Sequence, residues 1–299
     1  MMDSSWLVFT DLDGTLIDHY SYQADAALIA VRALQARQVT IVFNTSKTVE
    51  ECESLATRLA IAAPFIVENG SAIYLPKYRH SRPAALEIVQ RDSASHPRRA
   101  IVENTGRYCC IQLGASHTEI TAALSELTPH FQFKPLSQSS LEDICELTGL
   151  SMTQATRARK RQFSEPLIWQ DSQPALDRFR LALSARGLTL LKGGRFYHVL
   201  GQTDKGIALE YFKQMHEREH RGKKVTTVAL GDSYNDIDML GAADIPVWIR
   251  SPAHDVPTAK HLTTSRVSQL TGPAGWHESI FALIAEQSAN HPNAPSTEK

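Results

Sequence analysis

Short apolar runs alternate with segments of helical periodicity at both ends of the chain. A run rich in β-forming residues ends at Thr10, and apolar residues then recur every three or four positions from Ala26 to Ala36. Unbroken apolar strands that alternate with amphipathic helices are typical of a parallel sheet covered on both faces. We therefore predict an α/β core built from both ends of the chain. Its predicted strands are Trp6–Thr10, Val39–Phe43, Phe65–Val67, Val225–Leu230 and Ile245–Ile249.

The middle of the chain has a different pattern. It mixes polar, loop-like stretches with short helical and strand-like segments. One of these helices is predicted to begin after Ser140, which with Asp143 three residues on forms an N-capping pattern. Because the α/β pattern lies on both sides of this region, we predict an inserted α+β cap at 81–198. The core would then consist of 1–80 and 199–299.

Charge and composition narrow the possible functions. The 299 residues carry a formal net charge of −1, which gives no overall attraction to nucleic acid or to an anionic membrane. No apolar run is long enough to cross a bilayer, and the N-terminus has no basic, signal-like segment. We expect a cytoplasmic protein without nucleic-acid or membrane partners. The four cysteines lack metal-ligand spacing, which favours reduced thiols.

Two aspartates directly follow the first predicted strand, in the sequence Asp11-Leu12-Asp13-Gly14-Thr15. This position is the carboxyl edge of the sheet, where open α/β folds bind ligands. Asp11 can attack phosphorus as a nucleophile, and Asp13 can protonate the leaving group and later deprotonate water. Gly14 permits the tight turn that this arrangement needs. The alternative is a simple acidic turn after a strand.

A second acidic cluster follows the strand at 225–230 and includes Asp232, Asn235 and Asp236. Carboxylates from both clusters at one sheet edge would repel each other, and a hard cation with oxygen ligands would relieve this repulsion. We therefore predict a Mg²⁺ site. Its ligands would be Asp11, Asp232 and the backbone carbonyl of Asp13, with Asp236 as an outer ligand and Asn235 as support. The alternative, a capping run at a helix start, explains only part of this second cluster.

Two further positions are candidates for contact with phosphate. Thr45, with Ser46 and Lys47 as secondary choices, follows the strand at 39–43 and can bind a phosphoryl oxygen at a helix start. Lys205 can offset charge on the nucleophile and the transition state. Taken alone, Thr45 fits a Ser or Thr helix cap equally well, and a lone lysine is usually exposed to solvent; only the company of the other elements favours a functional Lys205.

These elements, in this order, resemble the haloacid-dehalogenase superfamily of phosphohydrolases. The resemblance covers Asp11–Thr15, Thr45, Lys205 and Asp232–Asp236, and it implies a Rossmann-like core, Mg²⁺ and an aspartyl-phosphate intermediate on Asp11. The inserted cap resembles that of the sugar-phosphatase branch. The resemblance is closest to the mannosyl-3-phosphoglycerate phosphatases, which release mannosylglycerate. The stretches that carry it are Val8–Asp18, Asn44–Thr48, Pro64–Gly70, Gln162–Pro166, Lys192–Gly201 and Thr203–Gly206.

A substrate with a phosphate, a carboxylate and sugar hydroxyls needs cations and polar groups in the cap. Gly194 and Arg195 suit bidentate recognition of an anion, and Glu165 is a candidate for sugar hydroxyls. The basic run from Arg157 to Arg161 is more typical of a solvated helix face. The set Glu68-Asn69-Gly70 fits either a substrate contact or an Asn-Gly turn. His19 and His198 are interpreted as structural.

The preferred function is thus a Mg²⁺-dependent phosphatase of mannosyl-3-phosphoglycerate, a small phosphorylated glycoside. The alternatives are a phosphatase of glucosyl-3-phosphoglycerate, sucrose phosphate or a hexose phosphate, or a phosphomutase with the same intermediate. A phosphosugar-binding module without enzymatic activity fits least well, because all four elements of the proposed chemistry are present.

Overall fold

The structure is a computed structural model that describes residues 5–77, 101–193, 196–259, 262 and 264–290. Within these residues, a nine-stranded core sheet has the order β13-β12-β11-β1-β2-β3-β4-β6-β5. The strands from β13 to β3 are parallel, and β4, β6 and β5 extend the sheet in antiparallel fashion. The core strands are β1 (Ser5–Thr10), β2 (Thr40–Asn44), β3 (Phe65–Val67), β4 (Ala72–Pro76), β5 (Ile101–Thr105), β6 (Tyr108–Gln112), β11 (Val225–Gly231), β12 (Ile245–Arg250) and β13 (Arg266–Thr271).

Helices cover both faces of the core sheet, which confirms the predicted α/β class. One face packs against α1, α2 and α9, and the other against α7 and α8. Leu7, Val8 and Phe9 of β1 are fully buried, because this central strand is covered on both sides. The core helices are α1 (Asp25–Ala36), α2 (Val49–Leu59), α7 (Lys205–Glu219), α8 (Ile237–Ala242) and α9 (Gly272–Asn290).

The cap is an antiparallel sheet of order β7-β8-β10-β9, counted over the described residues. Helices α3 and α6 pack on it through a cluster that contains Leu124, Phe179 and Val199. Ser140 caps α4 and forms a reciprocal hydrogen-bond pair with Asp143, as the sequence predicts. The cap elements are α3 (His117–Leu127), β7 (Phe133–Pro135), α4 (Leu141–Thr148), α5 (Met152–Ala158), β8 (Ser164–Trp169), α6 (Gln173–Ser184), β9 (Leu188–Lys192) and β10 (Tyr197–Gly201).

The division between core and cap differs from the predicted boundaries at both ends. β5 and β6 lie inside the predicted range 81–198 but belong to the core sheet, where β6 pairs with β4. β10 ends at Gly201 and belongs to the cap sheet. The two connections run side by side near Gly201, where an added Cβ would lie 2.3 Å from the backbone nitrogen of Ala115. The cap therefore spans roughly Ala115 to Gly201.

The structure also bears on the cysteines and on possible membrane-spanning helices. All four cysteines are free thiols, and Cys52, Cys109 and Cys110 are buried. In the part of the chain that the structure describes, no helix has both the length and the apolar character needed to cross a bilayer.

Candidate active site

Asp11 and Lys205 form a buried ion pair at the carboxyl edge of the core sheet. Asp11 directly follows β1, and Lys205 is the first residue of α7. The Lys205 Nζ atom donates to Asp11 Oδ1 and to Asp236 Oδ1, each at 2.7 Å. The lysine side chain is fully buried, and it forms ion pairs with these two carboxylates.

Asp232 and Asp236 complete an acidic cluster around this ion pair. One carboxylate oxygen from each of Asp11, Asp232 and Asp236 lies within 4.8 Å of the other two. The convergence follows from the topology, because Asp232 follows β11 and this strand pairs with β1. Asp236 Oδ2 accepts hydrogen bonds from the backbone N–H groups of Asp232 and Ser233, both at 3.0 Å.

The electrostatics of the cluster favour additional positive charge. Burial raises the pKa of Asp11 well above its usual value; Lys205 opposes this shift, and the carboxylates of Asp236 and Asp232 add to it. Burial also raises the pKa of Asp232, against a hydrogen bond from His254. Carboxylates with raised pKa values become easier to ionise when a cation approaches, so the cluster is suited to binding one.

The donor set fits a hard divalent cation such as Mg²⁺, which prefers oxygen ligands and keeps some of its waters. Asp11 is better placed for direct contact than Asp236, because Lys205 engages only its Oδ1 atom. Both oxygens of Asp236 are already engaged, one by Lys205 and the other by two backbone N–H groups. Asp236 therefore fits the outer position that the sequence predicts for it.

Asp13 lies nearer the surface than the other acidic residues of the site and pairs with Lys47. The Lys47 Nζ atom lies 2.8 Å from Asp13 Oδ2 and 3.6 Å from Glu51 Oε1. Burial lowers the pKa of Lys47, but the two carboxylates outweigh it and the net pKa is raised. Asp13 Oδ1 is buried without a hydrogen-bond partner among the described residues. One oxygen of Asp13 is thus held by the lysine, and the other has no hydrogen-bond partner among the described residues.

Thr45 directly follows β2 and is buried. Its Oγ1 atom accepts a hydrogen bond from the backbone N–H of Lys47 at 3.3 Å, which leaves the hydroxyl hydrogen available. The backbone carbonyl of Ser46 accepts a hydrogen bond from Arg161 of the cap at 3.1 Å. Ser46 therefore contacts the cap through its backbone.

Glu68 binds a segment of the cap, whereas one of its two sequence-based interpretations is a contact with the substrate. Its carboxylate accepts hydrogen bonds from the backbone N–H groups of Gln162 and Phe163 at 3.0 and 3.2 Å. It also accepts a hydrogen bond from the Ser164 hydroxyl at 2.6 Å. With only 1% of its surface exposed, Glu68 holds a cap segment against the core and has little room to meet a substrate.

Asn69 and Gly70 connect this contact to the catalytic loops. Asn235 Nδ2 donates to Asn69 Oδ1 at 3.1 Å, which ties the loop after β3 to the loop after β11. At Gly70 the backbone passes so close to Asp204 that an added Cβ would lie 2.0 Å from its carbonyl oxygen. Glu68, Asn69 and Gly70 all have positive φ, so the segment is a tight turn. Of the two sequence-based interpretations, a substrate contact or an Asn-Gly turn, Gly70 therefore fits the turn.

Glu165 is also committed to contacts within the protein. One oxygen lies 2.6 Å from His117 Nε2, and the other accepts the backbone N–H of Ser137 at 2.9 Å. These contacts leave it unsuited to the predicted role of binding sugar hydroxyls. Gly194 and Arg195 lie outside the described residues.

The four basic residues between positions 157 and 161 divide into two that contact other parts of the protein and two that are exposed. Arg157 donates to the Ser54 hydroxyl of α2 at 2.8 Å, and Arg161 donates to the Ser46 carbonyl and to Ser164. Arg159 and Lys160 are exposed. The solvated-face interpretation thus fits the second pair, whereas the first pair joins cap to core.

The two histidines near the predicted site differ in their surroundings. His19 stacks edge-on against the exposed Tyr20. His198 is buried in β10, and this burial lowers its pKa to about 3, so the ring is neutral at neutral pH. His254 was not predicted as a site residue. Its Nε2 lies 3.5 Å from Asp232 Oδ2, and this contact raises its pKa to about 8. It lies in a loop with no regular spacing to the other site residues, so no sequence pattern indicates it.

Comparison with known proteins agrees with this fold. A family model described as haloacid dehalogenase-like hydrolase matches residues 8–146. The chain belongs to this family, and the resemblance seen in the sequence is confirmed. Two curated relatives, from Methanococcoides burtonii and Persephonella marina, are named glucosyl-3-phosphoglycerate/mannosyl-3-phosphoglycerate phosphatase. They are 34% and 36% identical over 282 residues, which cover 94% of this chain and 97% of each relative. The chain is therefore a phosphomonoesterase of the haloacid dehalogenase-like family.

Solved structures share the fold at much lower sequence identity. A phosphatase of the same superfamily from Bacteroides thetaiotaomicron superimposes with a TM-score of 0.62 at 16% identity, covering 94% of this chain and 96% of that one. The sucrose-phosphatase from Synechocystis sp. PCC6803, solved with sucrose and phosphate, gives a TM-score of 0.56 at 16% identity over 95% of this chain and 98% of that one. Both show the same overall fold as this chain.

Proposed function

We propose that this protein is a Mg²⁺-dependent phosphatase of mannosyl-3-phosphoglycerate, or of its glucosyl counterpart, that acts through an aspartyl-phosphate on Asp11. The observation that carries the chemistry is the convergence of Asp11, Asp232 and Asp236 around the buried ammonium of Lys205. The proposed substrate is supported by the names of two relatives that match nearly the whole chain.

In the first step, an oxygen of Asp11 attacks phosphorus while the bond from phosphorus to the leaving oxygen breaks. Asp13 gives its proton to that oxygen, so the glycoside leaves as a neutral hydroxyl. Lys205 offsets the negative charge of Asp11 and of the phosphoryl group, and the Thr45 hydroxyl donates to a phosphoryl oxygen. These residues supply the positioning and charge stabilisation on which phosphoryl transfer depends.

In the second step, Asp13 is a carboxylate and takes a proton from water. The resulting nucleophile attacks phosphorus, the acyl-phosphate bond breaks, and Asp11 returns to its carboxylate form. A Mg²⁺ ion held by Asp11, Asp232 and the backbone carbonyl of Asp13 would neutralise the charge that the carboxylates and the phosphate bring together. Asp236 would keep Lys205 in place while it supports the outer sphere of the ion.

The test is a screen of phosphate release with the purified protein, with Mg²⁺ and with a chelator. The substrates are mannosyl- and glucosyl-3-phosphoglycerate, sucrose phosphate and mannose 6-phosphate. We expect kcat/KM for the phosphoglycerate substrates to exceed the others by at least about tenfold, and the chelator to abolish turnover. A dominant preference for mannose 6-phosphate would reject the substrate, and turnover that survives the chelator would reject the metal. Phosphosugar product without free phosphate would indicate a mutase.

A further inference from the structure

The side chain of Asn44 connects the strand that precedes Thr45 to the helix that begins with Lys205. Asn44 is the last residue of β2, and its Nδ2 atom donates a hydrogen bond to the backbone carbonyl of Lys205 at 2.9 Å. The two residues are 161 positions apart in the chain, and Asn44 is completely buried. This hydrogen bond therefore ties the backbone of the lysine to the carboxyl end of a central strand.

The amide of Asn44 satisfies only one of its two polar atoms. Its Oδ1 atom is buried without a hydrogen-bond partner among the described residues. A buried polar atom without a partner lowers stability, and an apolar side chain of the same shape would remove it. The orientation of the amide is fixed, because the Lys205 carbonyl only accepts hydrogen bonds and must therefore face the NH₂ group. Asn44 thus supplies a donor to Lys205 while it leaves an acceptor unpaired.

Lys205 has little freedom to adjust if its backbone moves. Its ammonium group lies 2.7 Å from both Asp11 Oδ1 and Asp236 Oδ1, and its side chain has no exposed surface. The Asp204 carboxylate accepts hydrogen bonds from two backbone N–H groups in the first turn of α7, each at 2.7 Å. Asp204 thus holds N–H groups of this turn and Asn44 holds a carbonyl of it, so two side chains anchor the start of the helix.

We propose that Asn44 is a positioning residue for the phosphatase reaction, and that it keeps the Lys205 ammonium in place against Asp11 through the backbone of α7. This inference rests on the proposed function, because it assumes that Lys205 offsets charge at Asp11 during phosphoryl transfer. Asn44 also directly precedes Thr45, so it fixes the lysine relative to the strand end that carries the proposed phosphate contact. A misplacement of about 1 Å in such a group lowers turnover by roughly a hundredfold.

Asn44→Leu is the main test, because leucine has nearly the same shape as asparagine and lacks both polar atoms of the amide. If Asn44 positions Lys205, turnover of mannosyl-3-phosphoglycerate should fall by roughly ten- to a hundredfold, mainly in kcat rather than in KM. The midpoint of urea denaturation should stay within about 0.5 M of the wild-type value, since the variant also removes the unpaired acceptor. If Asn44→Leu does not fold, Asn44→Ala is measured in the same way.

Thr227→Val is the matched control for a buried hydrogen bond lost elsewhere in the core sheet. Thr227 is completely buried in β11, and its hydroxyl donates to Asp244 Oδ2 at 2.8 Å. The substitution keeps the shape of the side chain, so it should lower the midpoint of urea denaturation and leave kcat unchanged. A structural role for Asn44 predicts this same pattern in Asn44→Leu, a lower midpoint with wild-type kcat, and that result overturns the proposal.

Two measurements test whether the effect of Asn44 passes through Lys205. In a Lys205→Met background, Asn44→Leu should lower the residual turnover by less than about twofold, because the lysine that Asn44 positions is absent. Hydrogen exchange of the backbone amides in the first turn of α7 should be faster in Asn44→Leu than in the wild type, because one of the two anchors is lost. An equal loss of turnover in both backgrounds, or unchanged exchange, overturns the assigned role.

The outcomes also distinguish this inference from the function on which it rests. Wild-type kcat in Asn44→Leu overturns the positioning role and leaves the phosphatase function intact. A wild-type protein that releases no phosphate from mannosyl- or glucosyl-3-phosphoglycerate in the presence of Mg²⁺ overturns the proposed function. The exchange measurement does not depend on turnover, so it still shows in that case whether Asn44 anchors α7.

Discussion

Gly14 shows how closely the residues of the catalytic loop are packed. Its φ is +77°, a conformation that side chains rarely adopt. An added Cβ would also lie 2.5 Å from Asp232 Oδ2. The absence of a side chain at position 14 therefore allows two chain segments to approach each other, one that carries Asp11 and one that carries Asp232.

Gly14→Ala should therefore reduce both stability and activity. We expect a loss of about 1–3 kcal/mol in the free energy of unfolding from the strained backbone. Activity should fall by roughly a hundredfold or more, because Asp232 must move. Gly149→Ala is the matched control, since Gly149 has a φ of +76° but nothing within 4 Å of the added Cβ. Denaturant unfolding and phosphate release measure the two effects.

Gly149→Ala should show the backbone cost alone, with full activity. Equal activity in the two variants would mean that the approach of Gly14 to Asp232 has no part in catalysis.

At the residue scale, sequence patterns predict side chains whose chemistry is local to a strand end, such as Asp11 and Asp232. They do not predict the roles of Glu68 and Glu165. Glu68 follows a buried strand and Glu165 lies within one, and both positions suit a ligand contact equally well. Their partners in the structure come from distant segments, and no spacing along the chain indicates them.

The turn Glu68-Asn69-Gly70 is the element that joins the cap to the catalytic loops. Its first residue binds a segment of the cap, its second binds Asn235, and its third lies against Asp204. Three successive residues with positive φ make this turn costly to form, so the contacts that hold it must offset that cost. We infer that the position of the cap and the geometry of the Lys205 loop depend on each other.

Glu68→Gln should destabilise the protein by about 1–3 kcal/mol, because an uncharged amide cannot accept all three hydrogen bonds equally well. Glu142→Gln, at an exposed position in the first turn of α4, is the control and should change the free energy of unfolding by less than about 0.5 kcal/mol. Urea denaturation measures both variants. If the two variants are equally stable, the turn does not hold the cap.

At the element scale, periodicity predicts the buried strands and amphipathic helices well, because burial itself produces the pattern. Sheet membership is a different matter. β6 pairs with β4 of the core, and nothing in the residues of β6 shows this pairing. β13 was not predicted, because this edge strand exposes most of its residues and carries no continuous apolar run.

At the scale of the whole molecule, the active site depends on the strand order. β1 lies between β11 and β2, so the loops that follow these three strands meet at one edge. Those loops contain Asp11, Thr45 and Asp232, and Lys205 reaches the same point from α7. Residues from the two ends of the chain thus form a single acidic centre at this edge of the sheet.

The central claim is that Asp11 in this centre becomes phosphorylated during turnover. The direct measurement is capture of protein-bound phosphate by rapid acid quench of a reaction with labelled mannosyl-3-phosphoglycerate and Mg²⁺, followed by mass spectrometry of peptides. We expect the label on Asp11 in the wild-type protein and none in Asp11→Asn, which should also lose at least about a thousandfold in turnover while it keeps its fold. Label at another residue, or undiminished turnover by Asp11→Asn, would contradict the account.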